Sequence, residues 1–319
     1  MKHKKMSLGL ALGGGGARGF AHIGVLKALE EESIPIDIIT GTSVGALIGG
    51  AYASGITPDQ LITMADEYLN SDEFQSSAIQ AISEAHKKES GGITKRVQHY
   101  LKNHFYLAQM IFKPGILSSD NFQSMINHFI PDITVRDTPI PFRAVATDLM
   151  SGKEIVFSDG SLRQAVMASC AVPGAIEPMK SGDRLLSDGG IVSSVPIDAA
   201  REAGAGIVIA VTVAHDIAYR EDFQTALAVY SRATDIMSHH LMNHTLKKAN
   251  IVIRPRVGTL HWSDYLQAKD LIHEGEEATR ECIDAIRTIL RRSTGWASLV
   301  SRLGAFFSNP PSAAEGKHR

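Results

Sequence analysis

Apolar residues follow two rhythms along the 319-residue chain. Short, mostly apolar runs at Leu8–Leu12, Ile36–Thr40, Arg143–Leu149, Ile207–Val213 and Ile251–Ile253 read as strands buried on both faces. Between them lie segments with helical spacing: Phe20–Leu29, Ala46–Tyr52, Pro196–Ala203 (stopped by Gly204) and a long one over Asp264–Arg292. Thr57-Pro58-Asp59-Gln60 predicts a helix start, with a threonine cap, proline at the first helical position and glutamine completing a capping box. Strand and helix signals alternate, which predicts an α/β fold: a three-layer α/β/α sandwich around a mainly parallel central sheet. There are no internal repeats. The expected organisation is a basic lead over 1–7, a main domain over 8–257, a helical region over 258–294 and an amphipathic segment with a disordered tail over 295–319.

Three glycine-rich junctions interrupt this pattern. Gly41-Thr42-Ser43-Val44-Gly45 stands between a strand and a helix, the setting of a nucleophile elbow. A turn that tight admits only glycine on either side, and it turns the serine hydroxyl toward the first helical amides. Upstream, the run Gly13 to Gly16 followed by Ala17-Arg18-Gly19 separates the first strand from the first helix. Consecutive glycines bring several backbone N–H groups to one anion. A Walker-type phosphate loop lacks its Lys-Ser/Thr here. A dinucleotide loop fits Gly14-x-Gly16-x-x-Gly19 but needs a ribose-binding acid at the end of the second strand, where this chain has the serine elbow. Amides near Gly14, Gly15 and Gly16 holding the oxyanion of a tetrahedral intermediate fit best. The third junction is Leu185-Leu186-Ser187-Asp188-Gly189-Gly190, which taken alone reads as a turn.

Together these motifs resemble the patatin-like phospholipases, in the bacterial and neuropathy-target-esterase-like branch. The family's Gly-Gly-Gly-x-x-Arg-Gly loop is matched by Gly14–Gly19, its Gly-x-Ser-x-Gly elbow by Ser43, and its Asp-Gly-Gly/Ala by Asp188-Gly189-Gly190. Ala168-Ser169-Cys170-Ala171-Val172-Pro173 is similar to a stretch typical of that branch, and the likeness runs from about Leu8 to Val257. The resemblance implies a serine–aspartate dyad. Ser43 would attack an ester carbonyl, Asp188 would take its proton, and Arg18 would orient the loop or add positive charge. A free aspartate, pKa about 3.9, is a poor base for a hydroxyl, and burial under an acyl chain would raise it. A slow enzyme whose activity falls in acid is expected. Asp148 and Asp159 are rival bases, each in a context that also suits a turn or cap.

Composition narrows the picture. A formal charge of −2 gives no electrostatic case for nucleic acid. Two cysteines, Cys170 and Cys282, form no disulfide framework and point to a reducing, cytoplasmic setting. Met1 to Met6 followed by Leu8–Leu12 imitates a signal peptide, but the apolar part is short and runs into the glycine loop, so it reads as a strand with a basic lead. No stretch is long and apolar enough to span a bilayer. His239, His240 and His244 include an i, i+4 pair, but the metalloprotease glutamate and a third ligand are missing, so neither metal nor cofactor is expected. The more polar stretch over about 69–114 reads either as a mobile cap or as a solvated helical excursion.

Near the C-terminus, Trp296, Leu299, Val300, Leu303, Phe306 and Phe307 share one helical face, with Arg291-Arg292 just before. That pattern suits an interfacial helix at the inner membrane surface, or a helix docked on its own domain or a partner. The expectation is a cofactor-free acyl-ester hydrolase acting on lipid. A nucleotide-binding Rossmann-like protein and a non-catalytic membrane-associated regulator are the alternatives.

Overall fold

A computed structural model describes residues 6–75, 115–117, 119–214, 216–219, 221, 223–258 and 267–308, with backbone alone at 73, 115–121 and 293–308. The first strand, β1 (Leu8–Leu12), leads through the glycine loop and a single 3-10 turn (Gly16–Gly19) into α1 (Phe20–Glu31). Then come β2 (Ile38–Thr42), α2 (Val44–Ala53), α3 (Pro58–Asn70) and α4 (Asp72–Gln75). After β3 (Gly115–Leu117) and α5 (Ser119–Phe129), the chain forms β4 (Phe142–Asp148), β5 (Glu154–Phe157) and α6 (Leu162–Ser169). The strands β6 (Gly174–Ile176), β7 (Met179–Ser181) and β8 (Arg184–Asp188) precede α7 (Ile197–Glu202), β9 (Ile207–Val211), α8 (Ala226–Leu246), β10 (Ile251–Ile253) and α9 (Ala268–Ser308).

The central sheet has eight strands in the order β10-β9-β1-β2-β4-β8-β7, with β5 also on β4. From β10 to β4 all neighbours are parallel; β8 and β5 run antiparallel to β4. Alternate residues of the central strands feed two cores. Leu8, Leu10, Leu12, Ile207, Ile209 and Val211 pack on one side with α1, α2 and α9, whereas Ala11, Val208 and Ala210 pack on the other with α7 and the end of α8. Burial on both faces explains why these strands read as unbroken apolar runs.

The threonine-capped helix forms as its sequence dictates, with a full capping box between Thr57 and Gln60. Other boundaries differ from the sequence reading. The second strand sits two residues later than expected, because Gly41 and Thr42 still pair with Ala144 and Val145 of β4. The antiparallel edge formed by β5, β7 and β8 is not announced by any hydrophobic period. Its strands are short, and β5 and β7 are only partly covered. The terminal helix begins at Ala268 and continues to Ser308 without a break. Residues 76–114, which hold most of the expected cap, lie outside the described residues, as do the side chains of Trp296, Leu299, Val300, Leu303, Phe306 and Phe307.

The first part of α9 docks on α1 through glycine. A Cβ on Gly275 would stand 2.0 Å from the Ala21 carbonyl oxygen, and one on Gly24 would stand 1.8 Å from that of Ile272. Glu31 and Glu32 at the end of α1 pair with Arg280 (3.0 Å) and Arg287 (2.6 Å) of α9. These half-exposed ion pairs add little stability, so the close backbone approach and the apolar seam carry the docking. Gly275→Ala should therefore destabilise the protein by roughly 1–3 kcal/mol through overpacking, despite the better helix propensity of alanine. A thermal melt at or above the wild-type midpoint would contradict this packing.

Candidate active site

The site is built where two strands meet end to end. On β4, residues 144–147 pair with β5 on one edge, so β2 and β8 share the other. Thr42 ends β2 opposite Val145, and Asp188 ends β8 opposite Ala146. The residue after Thr42 is Ser43. Two segments far apart in sequence thus deliver a hydroxyl and a carboxyl to adjacent positions on one strand edge.

Ser43 has φ 55° and ψ −127°, and apart from the exposed Ser33 it is the one non-glycine residue with positive φ among the described residues. Its neighbours leave no alternative at two positions. A Cβ on Gly41 would lie 2.4 Å from the Gly45 carbonyl oxygen, and a Cβ on Gly45 would lie 2.2 Å from that of Leu12. Helix α2 starts at the very next residue, Val44, so Ser43 stands at a helix N-terminus.

Asp188 is held from three directions. Its amide donates to the Ala171 carbonyl (2.9 Å), its carbonyl accepts from the Thr147 hydroxyl (2.9 Å), and its Oδ1 accepts from the Gly190 amide (2.6 Å). The carboxyl is buried, and burial pushes its pKa up to about 6, while hydrogen bonds from the Ser43 hydroxyl and the Gly190 amide oppose the rise. Ser43 and Asp188 are thus within hydrogen-bonding reach, and the carboxyl titrates near neutrality.

The glycine loop lies against both. Its conformation is fixed by its own bonds: the Gly13 amide donates to Val211 (2.9 Å), and the Gly14 amide donates to the Ser194 carbonyl (3.0 Å). That bond removes Gly14 from the expected set of anion donors, because its single N–H is already engaged. The Gly15 and Gly16 amides have no partner among the described residues, and both glycines line the same cleft as Ser43 and Asp188. Arg18 is buried, and its Nε donates to the Gly15 carbonyl (3.1 Å), so the side chain braces the loop.

His22 was not singled out by sequence and proves to be part of this brace. It is fully buried in α1, with Nε2 2.8 Å from the Gly13 carbonyl and Nδ1 without a partner among the described residues. Burial lowers its pKa to about 4, against the opposing effect of the bond it donates to the Gly13 carbonyl. The ring is therefore neutral at pH 7, with the proton on Nε2. A lone histidine in an apolar helix gives no sequence signal for such a role.

The rival acids are tied up elsewhere. The Asp148 carboxylate accepts from the Ser151 hydroxyl and from the amides of Met150 and Leu185, and the serine bond foremost holds its pKa below the usual range. Asp159 pairs with Arg136 (2.8 Å) and accepts from the Gly160 amide. Asp148 ends β4 and Asp159 lies in a bend before α6. Cys170 is buried, and burial together with the nearby Asp188 charge keeps its thiol protonated. His239 shares a contact with Asn243 (2.8 Å), and no metal-holding group of three acidic, histidine or cysteine side chains occurs among the described residues.

Two cavities of different size meet at Ser43. One is a narrow slot of about 90 Å³ walled by Phe20, Leu47, Ile48, Tyr68, Phe122 and Phe129. The other is a broad cleft of about 780 Å³ lined by Arg18, Asp188, Ile191 and Ser194 and by Met237 and His239 of α8.

Parts of the chain are similar to known proteins. Residues 10–201 match the family model for patatin-like phospholipases. An uncharacterized NTE family protein of Mycobacterium tuberculosis is 37% identical over 204 residues, covering 64% of this chain and 48% of the relative. Human patatin-like phospholipase domain-containing protein 6 is 33% identical over 210 residues, covering 65% of this chain and 13% of that protein. The chain thus spans about half the length of the mycobacterial relatives and a small part of the mammalian ones. VipD from Legionella pneumophila aligns over 88% of this chain and 67% of its own, with TM-score 0.42 and 14% identity.

The titrations of Asp188 and His22 oppose each other. Asp188 has a raised folded pKa, so its contribution is fully present below about pH 3.8 and is lost as pH rises through 6. His22 has a depressed folded pKa, so its contribution is present above about 6.5 and is lost as pH falls through 4. Relative to wild type, Asp188→Asn should gain up to about 3 kcal/mol at pH 8, with the gain fading as pH falls from 6 to 4. Denaturant titrations across pH 4–8 test this, and a constant offset between the two proteins would refute the raised pKa.

Proposed function

The chain belongs to the patatin-like phospholipase family, and from that premise we propose that it hydrolyses carboxylic acyl esters of lipids through Ser43 and Asp188. The observation that carries this reading is the position of Ser43 between a narrow apolar slot and a much wider cleft whose lining includes the charged or polar side chains of Arg18, Asp188 and Ser194. A lipid ester has that same division, with an acyl chain on one side of the carbonyl and a polar alcohol on the other.

In this mechanism the acyl chain enters the slot and the carbonyl carbon stops at Ser43. Ionised Asp188 takes the hydroxyl proton as Ser43 Oγ bonds to that carbon. The carbonyl oxygen becomes an oxyanion and accepts from the Gly15 and Gly16 amides, assisted by the N-terminus of α2. The tetrahedral intermediate collapses, the ester C–O bond breaks, and the alcohol leaves through the cleft with the proton from Asp188. Water then attacks the acyl-enzyme, giving its proton to Asp188, and the fatty acid departs as Ser43 regains its own. Asp188 orients and accepts in one step, the work that a histidine–aspartate pair divides elsewhere. A carboxyl near pKa 6 is a better base than an ordinary one and remains ionised at pH 7.

Hydrolysis of p-nitrophenyl esters tests this directly. Ser43→Ala and Asp188→Asn should each lower kcat at least about a thousandfold. The wild-type rate should climb with pH through about 6, as Asp188 ionises. Full activity in Ser43→Ala, or a rate flat from pH 4 to 8, would reject the mechanism.

The same reading extends to the end of α9, where the residues from Trp296 to Phe307 carry the sequence pattern of an interfacial helix. Truncation after Thr294 should weaken sedimentation with anionic liposomes and leave p-nitrophenyl butyrate hydrolysis intact. Undiminished liposome binding would rule the tail out as an anchor.

A further inference from the structure

The Ser43 amide lies where neither strand nor helix reaches it. Along the β2–β4 ladder, the Ile39 amide donates to the Pro141 carbonyl (2.9 Å). Rungs on one strand of a parallel pair recur every second residue, so the series continues from Gly41 to Arg143 and then from Ser43 to Val145. That last rung is not made directly. The Ser169 hydroxyl stands in it, accepting from the Ser43 amide (2.9 Å) and donating to the Val145 carbonyl (2.6 Å).

Ser169 is the last residue of α6 and is completely buried. Two residues on, the Ala171 carbonyl accepts from the Asp188 amide (2.9 Å) and from the Ser187 hydroxyl (2.7 Å). One three-residue segment therefore bonds the backbone of both Ser43 and Asp188. We propose that Ser169 is a positioning residue for the nucleophile: its hydroxyl, inserted as a one-atom spacer between β2 and β4, holds Ser43 in its left-handed backbone and sets its spacing from Asp188. The proposal rests on the reading of Ser43 as the nucleophile.

The physical reason is a balance of two local states. A direct rung to Val145 would prolong β2 by one residue and carry Ser43 into extended backbone, with its hydroxyl turned away from Asp188. The spacer opens the ladder by the width of one oxygen, and the chain is released into the turn that starts α2. Without the hydroxyl, the Ser43 amide is a buried donor with no acceptor, in a backbone region that serine avoids. The strand then has every reason to close, and the nucleophile shifts. The hydroxyl touches no substrate, so its loss moves the chemical step and leaves binding alone.

The test uses hydrolysis of p-nitrophenyl butyrate, with active sites counted by a fluorophosphonate titrant so that kcat refers to competent protein. Ser169→Ala should lower kcat roughly tenfold to a hundredfold, the scale of an ångström-sized misplacement, with KM changed less than about twofold. Ser169→Thr keeps the hydroxyl and should recover most of the rate. Ser169→Val has the shape of threonine without the hydroxyl and should not, so this pair separates hydrogen bonding from packing even where alanine folds poorly. Equal rates for the threonine and valine variants, or a wild-type kcat per titrated site in Ser169→Ala, would overturn the proposal. Those results with an inactive Ser43→Ala would sink the role of Ser169 alone. Activity surviving in Ser43→Ala would sink the nucleophile, and this inference with it.

Discussion

Everything at the site depends on one strand edge having to serve two partners. With β5 occupying the opposite edge of β4, β2 and β8 line up along the same edge and end against each other. Thr42 and Asp188 face consecutive residues of β4, so the spacing of Ser43 and Asp188 is set by the rise along a strand, one of the stiffest lengths in a protein. The crowding at this seam dictates glycine where the chain leaves it. A Cβ on Gly189 would stand 2.3 Å from the Val145 carbonyl oxygen. Hydroxyls then tie the seam together: Thr42 donates to the Ser193 carbonyl, Thr147 to that of Asp188, and Ser169 to that of Val145. Such a network fixes a reacting geometry before any ligand arrives, which is the condition for electrostatic preorganisation.

The seam also has an electrostatic cost. Asp188 is buried with the Gly190 amide and the Ser43 hydroxyl as partners and no cation paired with it among the described residues, so its ionised form works against the fold at neutral pH. The burial that raises its pKa is also what makes its ionised form destabilising. His22 behaves in the mirror sense beneath the glycine loop, where a neutral ring is what the fold requires. Stability lost at one group as pH changes is partly returned at the other. A carboxyl and an imidazole with displaced titrations, on either side of one loop, keep the site's contribution nearly level between pH 4 and 6.

The two cavities give the seam its directionality. Ser43 lies between a narrow apolar slot and a wider cleft that also holds charged side chains, so a substrate with one oily and one polar arm would find a separate place for each. The slot is walled largely by α1, α2 and α5, whereas the cleft lies between the glycine loop and α8. The two arms of such a substrate would therefore be read by different helices around a fixed reacting centre.

Some of this was legible in the sequence because local backbone geometry demands particular residues. Gly41, Ser43 and Gly45 announce a turn that only their types can make, and the alternating apolar runs announce a sheet buried on both faces. Asp188 stood out only once the three motifs were taken together as a family pattern, since its glycines alone read as a turn, and the parallel half of the sheet was marked by its unbroken strands. The rest had no local signature. Ser169 is an ordinary helix-terminal serine until Ser43 and Val145 arrive from elsewhere in the chain, and His22 is an ordinary core histidine until the Gly13 carbonyl lies over it. Gly14 and Gly15 are alike in sequence, and only the Ser194 carbonyl distinguishes an engaged amide from an available one. Gly24 and Gly275 are helix interiors in which glycine is a defect until the two helices cross. Sequence by itself determined the parallel strands and the glycine-rich turns, because those follow from the conformational limits of a few neighbouring residues, and it gave the Ser43–Asp188 pair only through likeness to a family. Tertiary structure alone decided which groups hold them in place and which amides remain open, because those bonds join residues that only the folded sheet brings together.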